Sequence, residues 1–204
     1  YTRPQTLVSA EAPKAAVFDS GETPVFDEVD RLKVVFVDGV FDAEASDDLS
    51  LEGVEIARLA DSADIHWAQD LYGKLEEAGQ TPVERPLAAL NTAFATDGLL
   101  IRVTGKASKP LHLIYRHAED TSDAILHHVV KVEEGGDLTV LESGPAAARF
   151  NKVMEVDVSD GAGFHHVRVQ GRDHERRAAT HTAGSRCPSG RAWAGAGGPR
   201  ARTC

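Results

Sequence analysis

The body of this 204-residue chain contains no cysteine. Both cysteines, Cys187 and Cys204, lie in the last 23 residues. The body therefore offers no disulfide, no thiolate metal site and no cysteine nucleophile. Long apolar runs are also missing. None approaches the roughly 18 residues that span a bilayer, so no membrane partner is expected. Positive charge is scarce: 22 Lys and Arg stand against 32 Asp and Glu, for a net charge of −10. A nucleic-acid partner needs a basic face, and none is expected here. No charged-then-apolar leader follows Tyr1, so no secretory signal is expected. With 42% hydrophobic and 26% charged residues, the composition fits a soluble globular protein.

One stretch lacks a core altogether. From Thr182 to Cys204 there is no Val, Ile, Leu, Met or Phe; there are five Gly, five Ala, four Arg and no acid. Removing this +4 from the net −10 leaves −14 for residues 1–181. Such a segment buries too little apolar surface to offset its ordering entropy. Its Gly, Ala, Arg and Pro are what a slipped GC-rich reading frame yields. Residues 182–204 therefore read as an aberrant low-complexity tail, expected to be disordered, with a basic interaction tail as the alternative.

What is present divides into four parts. Residues 1–60 begin as a polar arm punctuated by Pro4, Pro13 and Pro24. A hairpin follows, because Asp38-Gly39 sits between the apolar runs Leu32–Val37 and Val40-Phe41. Leu49, Leu51, Val54, Ile56 and Leu59 then suggest a short strand. Residues 61–98 suggest two helices. Trp67, Leu71 and Leu75 form one stripe from about Ser62 to Glu77, with Gly79 to end it and Pro82 to prevent its return. A second helix is expected from Pro86 to Ala95, burying Leu87, Leu90 and Phe94.

Residues 99–181 carry a near-repeat. Val130-Lys131-Val132-Glu133-Glu134-Gly135-Gly136-Asp137-Leu138 aligns with Val156-Asp157-Val158-Ser159-Asp160-Gly161-Ala162-Gly163-Phe164 at an offset of 26. Leu99–Val103 with Leu111–Tyr115 gives a looser third copy. A two-strand unit of this length suits one coil of a right-handed parallel β-helix, with glycine at the corners. The expected fold class is therefore a mainly β parallel β-helix behind a small helical and hairpin region. An antiparallel meander is the rival. Val156, Val158 and Phe164 should stack beside Val130, Val132 and Leu138. An incomplete helix would expose its last coil near 152–170 and self-associate there.

Candidate chemistry is sparse. His127-His128 and His165-His166 are adjacent pairs, and strand neighbours point to opposite faces. The repeat sets His165 opposite Thr139, not His127, so no ligand cluster is expected; solvated surface histidines are. Asp123, His127 and Ser143 form an imaginable triad without a nucleophile elbow around Ser143. Asp157, Asp160 and Gly161 lack EF-hand spacing. Gly161-Ala162-Gly163 lacks the third glycine and following helix of a nucleotide fingerprint. No catalytic, cofactor-binding or metal-ligating residue is assigned. A cupin-like metal enzyme is the rival class, but it needs His-x-His, a glutamate and a later histidine converging on one metal.

The run Ala89-Leu90-Asn91-Thr92-Ala93-Phe94-Ala95-Thr96-Asp97-Gly98-Leu99-Leu100-Ile101 resembles the SufB/SufD family, the scaffold subunits of SUF iron–sulfur cluster assembly. So do Lys109-Pro110-Leu111-His112-Leu113-Ile114-Tyr115, the corners at Gly135-Gly136-Asp137-Leu138 and Gly161-Ala162-Gly163-Phe164, and Asn151-Lys152-Val153-Met154-Glu155. Tyr1-Thr2-Arg3-Pro4 and the Asp38-Gly39 hairpin fit as well, so the likeness covers roughly Tyr1 to His181. The resemblance implies a parallel β-helix and a cytoplasmic, non-catalytic scaffold acting with SufB and the SufC ATPase. No phosphate loop occurs in this chain. The iron–sulfur cluster would be assembled transiently by the full complex, with no cofactor bound by this chain. Family members are about twice this length, and their cluster-assembly and SufC-docking residues lie in the later half. None is carried over here. An inactive structural fragment is the third reading.

Overall fold

The computed structural model describes residues 25–62, 66–78, 84–169 and 177–186. The arm over residues 1–24, Gly79, Pro82, Cys187 and Cys204 lie outside the described residues. The order is β1 (Leu32–Val37), β2 (Val40–Asp42), β3 (Val54–Arg58), a 3-10 turn (Leu59–Asp61), α1 (His66–Gln69), α2 (Lys74–Ala78) and α3 (Pro86–Phe94). Then come β4 (Leu99–Val103), β5 (Leu111–Arg116), β6 (Asp123–Val132), β7 (Asp137–Ser143), β8 (Arg149–Val158), β9 (Gly163–Arg168) and β10 (Arg177–Arg186).

The strands form two open five-stranded sheets, in the orders β2-β1-β5-β7-β9 and β10-β8-β6-β4-β3. One apolar core lies between them, from Leu32, Val34 and Phe36 through Ile101, Leu113 and Val130 to Met154 and Phe164. The helices cover the outer face of the second sheet. There Ala68, Trp67, Leu71 and Tyr72 pack on Leu100 and Val129.

This corrects the expected fold class. The chain is not a right-handed parallel β-helix but two mixed, open sheets with helices on one outer face. Two antiparallel pairs decide it. The Asp38-Gly39 turn, with φ of 47° and 83°, folds β2 back on β1, because both turn positions accept positive φ. On the other sheet β3 runs antiparallel to β4. The tie between β1 and β5 joins Leu32 to Leu111 rather than spanning one repeat. The 26-residue offset itself is real but local. Val130 pairs with Val156 and Val132 with Val158, all in parallel strands, and Leu138 pairs with Phe164. A local repeat reports the register of neighbouring strands, not the architecture they join.

Other boundaries shift too. β1 and β2 belong to the sheet that holds β5, β7 and β9, so the hairpin is part of the layered body. Thr182–Arg186 is not tail: it continues β10 in register with Met154–Val158. That strand covers the β8 edge, so Val156 is 3% exposed rather than open. The long helix expected over 62–77 is two short ones broken at Gly73, whose φ is 76°. Its N–H and that of Glu76 are both taken by the Glu155 carboxylate, at 2.6 and 2.8 Å. In α3 the buried face is Leu87, Ala88 and Asn91, while Leu90 and Phe94 are 40% and 65% exposed. Asn91 sets that rotation by donating to the Leu126 and Asn151 carbonyls, both at 3.0 Å.

Candidate functional site

Alternation along a strand sends neighbouring side chains to opposite faces. On β8 it turns Phe150, Met154 and Val156 into the core, and Lys152 with them. On β7 it turns Leu138, Val140 and then Glu142 the same way. Lys152 and Glu142 are both fully buried. The ammonium donates to both carboxylate oxygens of Glu142, at 2.5 Å to Oε2. Tyr115 Oη donates to Glu142 Oε1 at 2.9 Å. His166 Nε2 lies 3.0 Å from Oε2, off the line of its N–H, so the contact is charge proximity without a hydrogen bond. Arg168 Nε stands 3.9 Å away.

Hydrogen-bond bookkeeping fixes the protons in this network. The Leu99 N–H donates to His128 Nδ1 at 3.1 Å, so Nδ1 is bare and Nε2 carries the hydrogen. Nε2–H then donates to Tyr115 Oη at 3.1 Å, and Tyr115 passes its own hydrogen to Glu142. Burial, reinforced by Lys152, lowers the His128 pKa to about 3, which keeps the ring neutral. Burial and the Glu142 charge push the Tyr115 phenol well above its usual range. Burial alone would raise the Glu142 carboxyl, yet Lys152 and His166 hold it well below. Burial depresses the Lys152 ammonium despite Glu142, with Arg168 adding repulsion. The asymmetry is physical: Glu142 has several donors around it, and Lys152 has one carboxylate.

A second network lies on the opposite face of the same sheet. His127 is fully buried beneath the helices. Its Nδ1 meets Asn91 Oδ1 at 3.0 Å and its Nε2 meets Glu155 Oε2 at 2.8 Å. Asn91 spends its amide hydrogens on carbonyls, so Oδ1 accepts and His127 Nδ1 donates. His127 and Glu155 therefore share one further proton between them. Tyr72 stacks on the ring at 4.2 Å.

A third network pairs His112 Nε2 with Ser143 Oγ at 2.8 Å. Arg31 Nε donates to His112 Nδ1 at 3.0 Å. Arg31 occupies the place an aspartate holds in a hydrolase triad, with the opposite charge. It leaves Nε2 as a donor toward Ser143, so the imidazole cannot take the serine proton. Burial, then Arg31, lowers the His112 pKa to about 4.

The imagined triad is not assembled. Asp123 pairs with Arg149, His127 with Glu155, and Ser143 with His112. The expectation of solvated histidines fails for His127 and His128, which are core residues because the helices cover one face of β6 and the first sheet covers the other. His165 is exposed and opposite Thr139, as the repeat placed it. Among the described residues no group of three His, Cys, Asp or Glu is placed to hold a metal. Asp157 accepts from Ser185 Oγ, and Gly161-Ala162-Gly163 opens strand β9. A groove of about 270 Å³ lies between α3 and the starts of β6, β8 and β10, lined by Leu87, Leu90, Ile125 and Phe150 with Arg149 and Arg177. Sequence reasoning missed Lys152 and Glu142. Their signal was a charged residue at an inward position, in Phe150-x-Lys152-x-Met154 and Val140-x-Glu142.

The motif around Asn91 has an architectural geometry. Asp97 is 3% exposed. Its carboxylate accepts the Gly98 N–H at 2.8 Å, the Phe41 N–H at 3.2 Å and Arg58 at 3.0 Å. A Cβ at Gly98 would sit 1.8 Å from the His127 carbonyl oxygen. Asn91, Asp97 and Gly98 thus join α3, the second sheet and the hairpin. Compared with known proteins, the chain matches no protein-family model and no curated protein. No helix among the described residues is long and apolar enough to cross a membrane.

Proposed function

We propose that this protein is a non-catalytic scaffold subunit of the SUF iron–sulfur cluster assembly complex. It is nearer SufD than SufB, and acts in the cytoplasm with SufB and the SufC ATPase. The observation that carries the reading is the Ala89–Ile101 run. The stretch that resembles the family is also the joint of this molecule, through the buried Asn91, Asp97 and Gly98. An architectural role for the most family-like residues suits a scaffold. The buried charge networks support it as well, since each cross-links strands or docks a helix. The cupin-like reading needs three histidines and a glutamate converging on one metal, whereas His127 lies across the sheet from the Glu142 network that holds His128 and His166, and His165 faces solvent. The iron–sulfur cluster is cargo of the complex in this reading, and no residue of this chain is assigned to it.

Each sheet ends on a strand with one edge unpaired among the described residues, β9 in one and β10 in the other. Unpaired edges recruit further strands, so self-association through that end belongs to the proposal. The test is co-expression of the tagged chain with SufB and SufC. Retention of SufB through affinity and size-exclusion steps is expected. Elution of the chain free of both proteins overturns the reading.

A further inference from the structure

Among the described residues, the core network holds more cationic groups than carboxylates. Glu142 is its one carboxylate, and three cationic or cation-forming groups face it: Lys152, Arg168 and His166. The acids on β8 do not help. Glu155 turns outward to His127, and Asp157 turns outward to Ser185. Lys152 and Glu142 cancel, which leaves the Arg168 guanidinium without a matching anion among the described residues. Arg168 is 18% exposed. Among the described residues its approaches are 3.9 Å to Glu142 Oε2 and 5.9 Å over the Phe150 ring, neither of them a hydrogen bond. A guanidinium carries five N–H donors in a fork that matches an oxyanion. His166 Nε2 is buried, has no hydrogen-bond partner among the described residues and lies 3.0 Å from Glu142 Oε2.

These groups stand where the space between the sheets opens. Among the described residues β9 and β10 are the last strands of their sheets. The inward positions of β10 are Ala178, Thr180, Thr182 and Gly184, since they pair with the inward residues of β8. Thr180 is opposite Lys152 in the register and yet exposed. So this end of the interior is open to solvent along β10, lined there by small residues and faced by Arg168. A partly desolvated guanidinium beside water is worth more to an anion than one on an open surface, because the local dielectric is lower.

We propose that this mouth is a binding site for a small tetrahedral oxyanion of the phosphate class, held by the Arg168 guanidinium and the His166 Nε2–H, with Thr180 at the entrance. The anion completes the charge balance that Glu142 leaves unfinished. Both a free anion and the phosphoryl group of a small monoester have this chemistry.

The test is isothermal titration of the whole chain with inorganic phosphate, at ionic strength held constant with sodium chloride. Saturable binding near one equivalent is expected. Arg168→Gln should weaken it by at least about tenfold, as loss of a charge-assisted fork does. Arg168→Lys, which keeps the charge but not the fork, should fall between. Arg149→Gln, at the distant Asp123 pair, should bind like the parent. If Arg168→Gln does not fold, Thr180→Val at the exposed entrance supplies the second variant, with weaker binding expected. Glycerol 2-phosphate separates the sources. Binding as tight as phosphate assigns a phosphomonoester, and tenfold weaker binding assigns the free anion. No saturable heat above that of chloride, or Arg168→Lys and Thr180→Val both equal to the parent, overturns the site.

Discussion

Glu142 and Lys152 face each other fully buried, yet removing one should not equal removing the other. In Lys152→Met the carboxylate keeps the Tyr115 hydroxyl at 2.9 Å, His166 at 3.0 Å and Arg168 at 3.9 Å. Methionine nearly fills the lysine volume. The loss is close to that of one charged hydrogen bond, about 1.5–3 kcal/mol. In Glu142→Leu the ammonium loses its one carboxylate and stays beside Arg168, while Tyr115 loses its acceptor. An uncompensated buried charge costs about 3–5 kcal/mol. The double variant Glu142→Leu with Lys152→Met removes both charges and should be more stable than Glu142→Leu alone, with a coupling of about 2 kcal/mol or more. Urea unfolding followed by far-ultraviolet circular dichroism measures all three, compared at equal slope. A Lys152→Met loss as large as that of Glu142→Leu, or a double variant no better than Glu142→Leu, would refute the assignment of Glu142 as the shared hub.

Gly98→Ala forces a Cβ to 1.8 Å from the His127 carbonyl; a loss of at least about 3 kcal/mol, at the upper end for overpacking, is expected in the same urea assay. His112 and His128 have pKa values lowered to about 4 and about 3, against about 6.5 in the unfolded chain. Between those values the unfolded state binds the protons and the folded state does not. Their contribution is therefore complete above about pH 6.5 and is lost as pH falls toward 4 and then 3. His112→Gln should flatten that slope between pH 6.5 and 4 in thermal melts, and an unchanged slope would contradict the buried neutral ring. Phe94→Lys should change stability by less than about 0.5 kcal/mol because the ring is exposed, whereas Leu87→Ala should cost about 2–3 kcal/mol. The reverse order would restore the helix face that periodicity suggests. Concentration-dependent sedimentation should show self-association, and a monomer at every concentration would remove the edge pairing proposed for β9 and β10.

The sequence by itself determined the local terms. Asp38-Gly39 specified a hairpin because its backbone demands positive φ at two successive positions. The 26-residue spacing specified which strands pair and in which register, because alternation makes a slip of one residue turn every valine outward. Pro86 marked the start of α3. Tertiary structure decided the rest. Whether a set of parallel pairs continues as coils or ends in mixed sheets depends on where β2 and β3 dock, and no local pattern encodes that. The rotation of α3 was decided by Asn91 reaching two strand carbonyls, which outweighs the apolar stripe Leu87, Leu90 and Phe94. The break at Gly73 was decided by a carboxylate 82 residues away, on Glu155. The histidines looked like surface residues because adjacency in sequence says only that they face opposite ways. Burial of both faces of β6 required a helical layer on one side and a second sheet on the other. Lys152 and Glu142 were visible as charges at inward positions. Their meaning as a shared network came only when β5, β8 and β9 brought Tyr115, Lys152, His166 and Arg168 within about 4 Å of the Glu142 carboxylate on β7, a distance at which Coulombic terms become decisive in a dry interior.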